Sequence, residues 1–101
     1  IGGENQVQWI TVDSTVGEES LRLDVDGVFV AVGITPDTEF VKDLVELDAS
    51  GYIVAGEDGK TSVPGIYAAG DIRTKPLRQI ITAAADGANC ITSVEEYLRT
   101  M

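Results

Sequence analysis

The chain has 101 residues, which suits one small domain. Its formal net charge of -10, from 17 acidic and 7 basic residues, disfavours nucleic acids and anionic membranes as partners, because both are polyanions. The sequence has no histidine and a single cysteine, which excludes histidine-dependent catalytic triads, zinc sites built on histidine and an internal disulfide. No apolar run is long enough to cross a bilayer, and a cytoplasmic location is the expectation.

The first third of the chain has the pattern of short strands. Residues Val7–Val12 predict a strand, since Trp9 and Thr11 favour extended backbone. Residues Ser20–Val25 alternate apolar and polar side chains, which predicts a second strand that forms a hairpin with the first. The continuous apolar run Val28–Val32 predicts a third strand, buried on both faces.

The middle of the chain combines weak helical spacing with turns. Residues Asp37–Asp48 predict one or two helical turns, and Tyr52–Val54 predict a short strand. The Pro64-Gly65 turn then leads into the apolar run Ile66–Ala69. That run predicts a central strand buried on both faces.

A glycine and an aspartate end this predicted strand. Gly70 allows another group to approach the backbone closely. Asp71 places a carboxylate at the carboxyl end of the strand, where open α/β sheets hold their ligands. The alternative is that Asp71 is only a cap or turn residue.

The last quarter of the chain predicts a long helix, with Pro76 at its first helical position. Small residues surround Gly87 and indicate close packing, either within the protein or against a cofactor. Apolar residues recur at helical spacing: Leu77, Ile80, Ile81, Ala84, Ala88, Ile91, Val94 and Leu98.

Three of the seven basic residues, Arg73, Lys75 and Arg78, cluster before or at the predicted helix start. The amino end of a helix carries a partial positive charge, so this cluster predicts a site for an anion or an electron-rich ring edge. For Arg73 and Lys75 the more frequent interpretation is simple surface charge. For Arg78 and Gln79 a solvated first turn is the less frequent alternative. Cys90 is predicted to be a buried apolar side chain.

Three stretches resemble the thioredoxin reductase family of flavin disulfide reductases. "TSVPGIYAAGDI" (61–72) resembles the family's second FAD-binding motif. "DGVFVAVGITPDT" (26–38) resembles the segment that returns the chain from the NADPH domain to the FAD domain. "RQIITAAADGANCITSVEEYL" (78–98) resembles the final helix, which caps the flavin.

The resemblance implies an α/β fold class, with a β-hairpin and strands followed by a long C-terminal helix. Such a chain would be a fragment of a flavoprotein with two dinucleotide-binding domains. On this resemblance, residues 1–32 are the terminal strands of an NADPH-type domain. Residues 33–101 are the C-terminal part of an FAD-binding domain.

The resemblance also implies a set of FAD contacts. Asp71 matches the family residue that hydrogen-bonds the ribityl chain, and Gly70 precedes it. The positions matching the flavin ring, beside the start of the helix, are Arg78, Gln79 and Ile80. No catalytic residue and no metal ligand are implied, because the family's redox cysteines form a Cys-x-x-Cys pair.

The sequence contains neither a Gly-x-Gly-x-x-Gly loop nor a dithiol. In the family these parts come earlier in the chain. The resemblance therefore implies the C-terminal segment of an NADPH-dependent thioredoxin-disulfide reductase, which would use FAD and NADPH in the complete protein. This segment would be inactive in isolation, would form homo-oligomers and, within the complete enzyme, would serve a thioredoxin-like partner.

Two alternatives stay open. The parent could be a related flavin reductase, such as a ferredoxin–NADP reductase or a peroxiredoxin reductase. The chain could also be a non-catalytic module that serves in protein association.

Overall fold

The computed structural model describes residues 1–17 and 19–101. These residues divide into two compact units, Ile1–Gly33 and Ile34–Met101. The assignment of residues 1–32 and 33–101 to domains of NADPH and FAD type stays a prediction.

The first unit contains the predicted hairpin. Strands β1 (Trp9–Val12) and β2 (Leu21–Asp24) pair antiparallel, with Trp9 opposite Asp24 and Val12 opposite Leu21. The Arg22 guanidinium lies 4.3 Å from the centroid of the Trp9 ring, within the range of a cation–π contact. Both strands are shorter than predicted, and the prediction of a hairpin is confirmed.

The prediction of a buried strand at Val28–Val32 is wrong for this chain. The described residues of this run form no strand, and Phe29 and Val32 are 99% and 95% exposed. A strand buried on both faces requires hydrogen-bonded neighbours and a covering layer on each face. The described part of the first unit has no strand paired with this run, so it stays irregular and largely exposed.

This exposed apolar run predicts that the 101-residue chain self-associates, because large exposed apolar patches mark association surfaces. Sedimentation velocity should show dimers or larger species whose proportion rises with concentration. Replacing Phe29 and Val32 with aspartate should shift the distribution toward monomer, whereas Glu4→Asp should leave it unchanged. A folded monomer at high concentration would contradict the prediction.

The second unit is built around a small core. The buried apolar side chains are Val45, Ile53, Ala55 and Ala68. A 3-10 helix at Glu39–Val41 accounts for the helical turn predicted in residues 37–48. The long helix α1 spans Ile80–Arg99. A hairpin together with a C-terminal helix confirms the predicted α/β class.

The two strands predicted in this unit are reduced to isolated pairings. Ile53 pairs with Leu47 and with Arg73, and Tyr67 pairs with Lys60. The prediction that Ile66–Ala69 is a strand buried on both faces is wrong, since Ala68 is buried but Ala69 is exposed. A full ladder needs neighbouring strands on both edges, and the described residues provide only single bridges.

Helix α1 begins later than predicted. Its N-cap is Gln79, whose backbone is extended (φ −143°, ψ 160°), so Pro76 precedes the helix and is not its first residue. The Thr82 hydroxyl accepts a hydrogen bond from the Gln79 N–H at 3.0 Å, which fixes the start at Ile80. The residues before Gln79 remain outside the helix and are free to make the contacts described below.

The face that α1 buries is not its apolar face. Asp86 and Ser93 are the buried residues of the helix. The residues at the predicted apolar spacing are largely exposed; among them are Ile80, Ile81, Ile91 and Leu98. Buried pairing of Asp86 with cations outside the helix, described below, sets this orientation.

Cys90 is half-buried, not fully buried as predicted. Its thiol lies 3.6 Å from the Ala68 carbonyl oxygen, to which it donates. Burial raises the pKa of the Cys90 thiol, and nearby Asp86 acts in the same direction. The thiol therefore stays protonated at neutral pH, as expected for a packing residue.

Helix α1 is too polar for its length to serve as a membrane span, and the rest of the described chain offers no other helix that could.

Candidate functional site

The Gly70-Asp71 turn is where the sequence places its first candidate ligands. Gly70 has φ +90°, a left-handed conformation that side chains other than glycine rarely adopt. A Cβ at Gly70 would meet only the Ala83 Cβ at 3.8 Å, an ordinary contact. The glycine is therefore needed for its backbone angle. The Asp71 side chain that follows is exposed and available to a ligand.

Arg78 ties this turn to the start of α1. Its Nε donates to the Asp71 carbonyl oxygen at 3.1 Å, and its Nη2 donates to the Arg73 carbonyl oxygen at 3.1 Å. The guanidinium also lies 3.7 Å from the centroid of the Tyr52 ring. Arg78 is half-buried, so the interpretation of it as a solvated residue is wrong.

Gln79 and Ile80 continue directly from Arg78 into the helix. The first N–H groups of any helix have no partner within the helix, so the start of α1 presents donors and a partial positive charge. Ile80 is 92% exposed and adds an apolar surface at the same place. The structure thus brings an exposed carboxylate, at Asp71, and an apolar helix start into one connected segment.

A buried ionic cluster lies beneath this segment, and sequence reasoning missed its centre. Asp86 is 4% exposed. Arg73 binds it with two hydrogen bonds, from Nε to Oδ2 at 2.7 Å and from Nη2 to Oδ1 at 2.6 Å. Lys75 Nζ lies 2.7 Å from Oδ2 as an ion pair whose alignment is not that of a hydrogen bond. The Gly70 N–H donates to the same oxygen at 2.9 Å.

These contacts contradict two interpretations of the basic residues. The Arg73 and Lys75 side chains are 6% and 3% exposed, so neither is a surface charge. Both cations pair with Asp86, so they do not form the predicted site for an external anion. Of the three basic residues in that cluster, Arg78 is the one that stays near the helix start without a carboxylate partner among the described residues.

The cluster is electrostatically strong. Hydrogen bonding from Arg73 holds the pKa of the Asp86 carboxyl well below its usual range, against the opposing effect of burial. Lys75 and the Gly70 N–H lower this pKa further. The hydrogen bond to Asp86 in turn raises the pKa of Arg73. Asp86 is therefore ionised throughout the neutral range.

A groove in the second unit lies elsewhere. It encloses about 410 Å³ beside the C-terminal half of α1, and Tyr67 and Tyr97 contribute aromatic rings to its lining. Their ring centroids are 6.5 Å apart in an edge-to-face arrangement. None of the five predicted FAD contacts lines it, so it is not the candidate site.

Comparison with known proteins decides the family. Residues 1–87 match the family model described as pyridine nucleotide-disulphide oxidoreductase. The chain belongs to this family. The match covers most of both units, and it confirms the resemblance to disulfide reductases.

Individual relatives show which reductases of this family the chain is similar to. The chain is 43% identical to the thioredoxin reductase of Listeria innocua over 102 residues, covering 100% of this chain and 32% of that protein. It is 43% identical to the alkyl hydroperoxide reductase F of Staphylococcus aureus over 97 residues, covering 95% of this chain and 19% of that protein.

A solved structure agrees with these relatives. The thioredoxin reductase of Lactococcus lactis matches with a TM-score of 0.79 and 33% identity, covering 100% of this chain and 33% of that one. The chain therefore spans about a third of the length of the thioredoxin reductases that it matches.

Proposed function

We propose that this chain supplies part of the FAD site of a thioredoxin reductase-like, NADPH-dependent disulfide reductase. The residues that would contact FAD are Gly70, Asp71, Arg78, Gln79 and Ile80. Membership of the pyridine nucleotide-disulphide oxidoreductase family supports the reaction class. The similarity to thioredoxin reductases over the whole chain supports the acceptor class.

The observation that carries the proposal is the bridge made by Arg78. Its Nε donates to the carbonyl oxygen of Asp71, eight residues before the Gln79 N-cap. This bond ties the backbone of Asp71, whose side chain is exposed, to the residue that precedes the N-cap of α1. A ligand that binds there meets both features at once.

The residues present fit FAD. A carboxylate such as Asp71 accepts hydrogen bonds from hydroxyl groups, which the ribityl chain offers. The exposed Ile80 side chain offers an apolar surface for a flat ring, and the N–H groups at the start of α1 favour an electron-rich edge. Bound flavin would supply electron transfer between a nicotinamide and a disulfide.

The other parts of the reaction would come from residues outside this chain. Neither a glycine-rich nucleotide loop nor a redox dithiol occurs in its sequence, so NADPH binding and disulfide exchange are assigned to the remaining two thirds of the reductase. We infer a thioredoxin-like protein as partner of the complete enzyme, a homo-oligomeric state and a cytoplasmic location. The isolated chain would not turn over NADPH.

The test is the substitution Asp71→Asn in the complete reductase that contains this chain. Asparagine keeps an acceptor oxygen but loses the charge, and a hydrogen bond to a charged group contributes about 1 kcal/mol more than a neutral one, so the FAD dissociation constant should rise by about fivefold. Equilibrium dialysis with absorbance of the retained flavin measures this. Asp43→Asn removes another exposed carboxylate and serves as the control. Equal FAD affinity in both variants would overturn the proposal.

A second candidate rests on the alkyl hydroperoxide reductase F of Staphylococcus aureus, which is as similar to this chain as the Listeria thioredoxin reductase is. On this candidate the same FAD site serves a peroxiredoxin reductase. Comparing NADPH oxidation by the complete enzyme with thioredoxin and with a peroxiredoxin as acceptor separates the two.

A further inference from the structure

We propose that Asp86 is the positioning residue of the flavin site: it holds the Gly70-Asp71 turn and the segment up to Arg78 in the conformation that receives the flavin. This inference rests on the proposed function. Asp86 itself is buried and would not touch the cofactor, so its effect would pass through the backbone that it binds.

Asp86 binds the Gly70-Asp71 turn directly. Asp86 Oδ2 accepts the Gly70 N–H at 2.9 Å, and Gly70 has φ +90°. A left-handed turn of this kind has no helix or strand ladder to hold its N–H. The buried Asp86 carboxylate supplies that partner, and it thereby orients Asp71, the next residue in the chain.

The second step is the linker between the turn and the helix. The same carboxylate binds Arg73 through Nε and Nη2 and pairs with Lys75. The Arg73 carbonyl oxygen then accepts the Nη2 donor of Arg78. One carboxylate therefore fixes residues on both sides of Asp71, and through Arg73 it also fixes the anchor of Arg78.

Asp86 is itself a residue of α1. Asp86 lies six residues after Ile80, the first residue of the helix, so anchor and helix start belong to one rigid element. If the helix start caps the flavin, the turn that carries Asp71 is held at a fixed distance from it. Binding groups that are already ordered lose less conformational entropy when the ligand arrives.

The first arm of the test uses the 101-residue chain without cofactor. The substitution Asp86→Asn keeps the size of the side chain and removes its charge. Hydrogen exchange followed by NMR should show faster exchange of the Gly70 amide, by about tenfold or more, since its acceptor is weakened. Glu95→Gln, which removes an exposed charge from the same helix, should leave Gly70 exchange unchanged.

The second arm uses the complete reductase with FAD. Asp86→Asn should raise the FAD dissociation constant by about tenfold or more and change the visible circular dichroism of the remaining bound flavin. Val45→Ala, which truncates a core side chain, is the control for lost stability alone. It should keep the flavin spectrum of the parent. If Asp86→Asn does not fold, Asp86→Glu keeps the charge but displaces the carboxylate, and the same changes are expected in smaller degree.

The outcomes separate the two proposals. An unchanged Gly70 exchange rate, or a flavin spectrum and affinity equal to those of Val45→Ala, would overturn the role of Asp86. If Asp71→Asn weakens FAD binding and Asp86→Asn or Asp86→Glu does not, this inference fails alone. If Asp71→Asn leaves FAD binding unchanged, the proposed function fails, and the inference fails with it.

Discussion

Replacing Asp86 with alanine is expected to lower the free energy of unfolding of the chain by about 3–5 kcal/mol. The substitution leaves the Arg73 and Lys75 side chains buried without their carboxylate partner, and it removes the acceptor of the Gly70 N–H. An uncompensated buried charge costs more than the net contribution of the intact ion pair. The effect should therefore exceed that of an ordinary truncation at a helix position.

Urea unfolding at neutral pH, followed by the helical circular dichroism of α1, measures this loss. Glu95→Ala is the matched control, since Glu95 pairs with Arg99 on the exposed side of the same helix. Exposed pairs contribute about 0–1 kcal/mol, so the control should change little. A loss for Asp86→Ala no larger than that of the control would contradict the prediction.

The pH dependence of the free energy of unfolding provides an independent test of the same ionic cluster. The pKa of Asp86 is held below its unfolded value of about 3.9, so its contribution is fully present above that pH. As the pH falls below about 4, the unfolded chain takes up a proton first and the contribution is lost progressively. The difference in the free energy of unfolding between the wild-type chain and Asp86→Ala should be constant near pH 7. It should decrease as the pH falls below about 4.

Removing all three charges distinguishes specific pairing from general packing. Replacing Arg73 and Lys75 with methionine and Asp86 with leucine fills similar volumes without buried charge. Such replacements are often neutral or stabilising, so the triple variant should recover much of the stability lost in Asp86→Ala. If Asp86 positions the turn, the triple variant should recover stability but should still show fast hydrogen exchange of the Gly70 amide. The reason is that leucine offers no acceptor for the Gly70 N–H.

The long helix was predictable from its pattern, but the face that it buries was not. The apolar spacing predicts that α1 exists, and the structure confirms it at Ile80–Arg99. The same spacing points to Ile80, Ile91 and Leu98 as its packing face, and these side chains are exposed. Asp86 turns the opposite face inward because two buried cations lie there. Nothing in helical periodicity encodes that pairing.

The candidate site could be located from the sequence, whereas the buried ionic cluster beneath it could not. The Gly-Asp ending of an apolar run indicated the turn, and the structure places the Asp71 carboxylate in the open. Arg73 and Lys75 could not be separated from surface charges by composition. Asp86 lies 13 residues beyond Arg73, and in sequence it looks like any acidic residue of a solvated helix face. Their pairing exists only in three dimensions.

The strands show a different limit of prediction from sequence. The hairpin forms because both of its strands lie in the chain, and the two-residue alternation of β2 marks it. The apolar runs Val28–Val32 and Ile66–Ala69 need neighbours to become strands, and an apolar run does not state whether those neighbours are present. The likeness to thioredoxin reductases, a third of whose length this chain covers, is consistent with such neighbours belonging to the remaining two thirds.

Gly59→Ala is expected to destabilise the second unit by about 2–5 kcal/mol, the sum of two separate costs. Gly59 has φ +71°, where a Cβ costs about 1–2 kcal/mol. That Cβ would also lie 2.2 Å from the Cys90 Sγ and 3.1 Å from the Ala68 carbonyl oxygen. The loop that carries Gly59 packs directly on α1, so overpacking there should strain the contact between them.

A double-mutant cycle with Cys90→Ala separates the two costs. Removing the Sγ takes away the closest clash, so Gly59→Ala should cost only about 1–2 kcal/mol in the Cys90→Ala background. Gly51→Ala provides the matched reference, because Gly51 also has a positive φ (+89°) and its Cβ would make only an ordinary 3.5 Å contact with Pro36. Urea unfolding of the single and double variants gives the coupling. Additive effects would show that the loop moves away from α1 freely, and the close approach of Gly59 to Cys90 would then carry no stability.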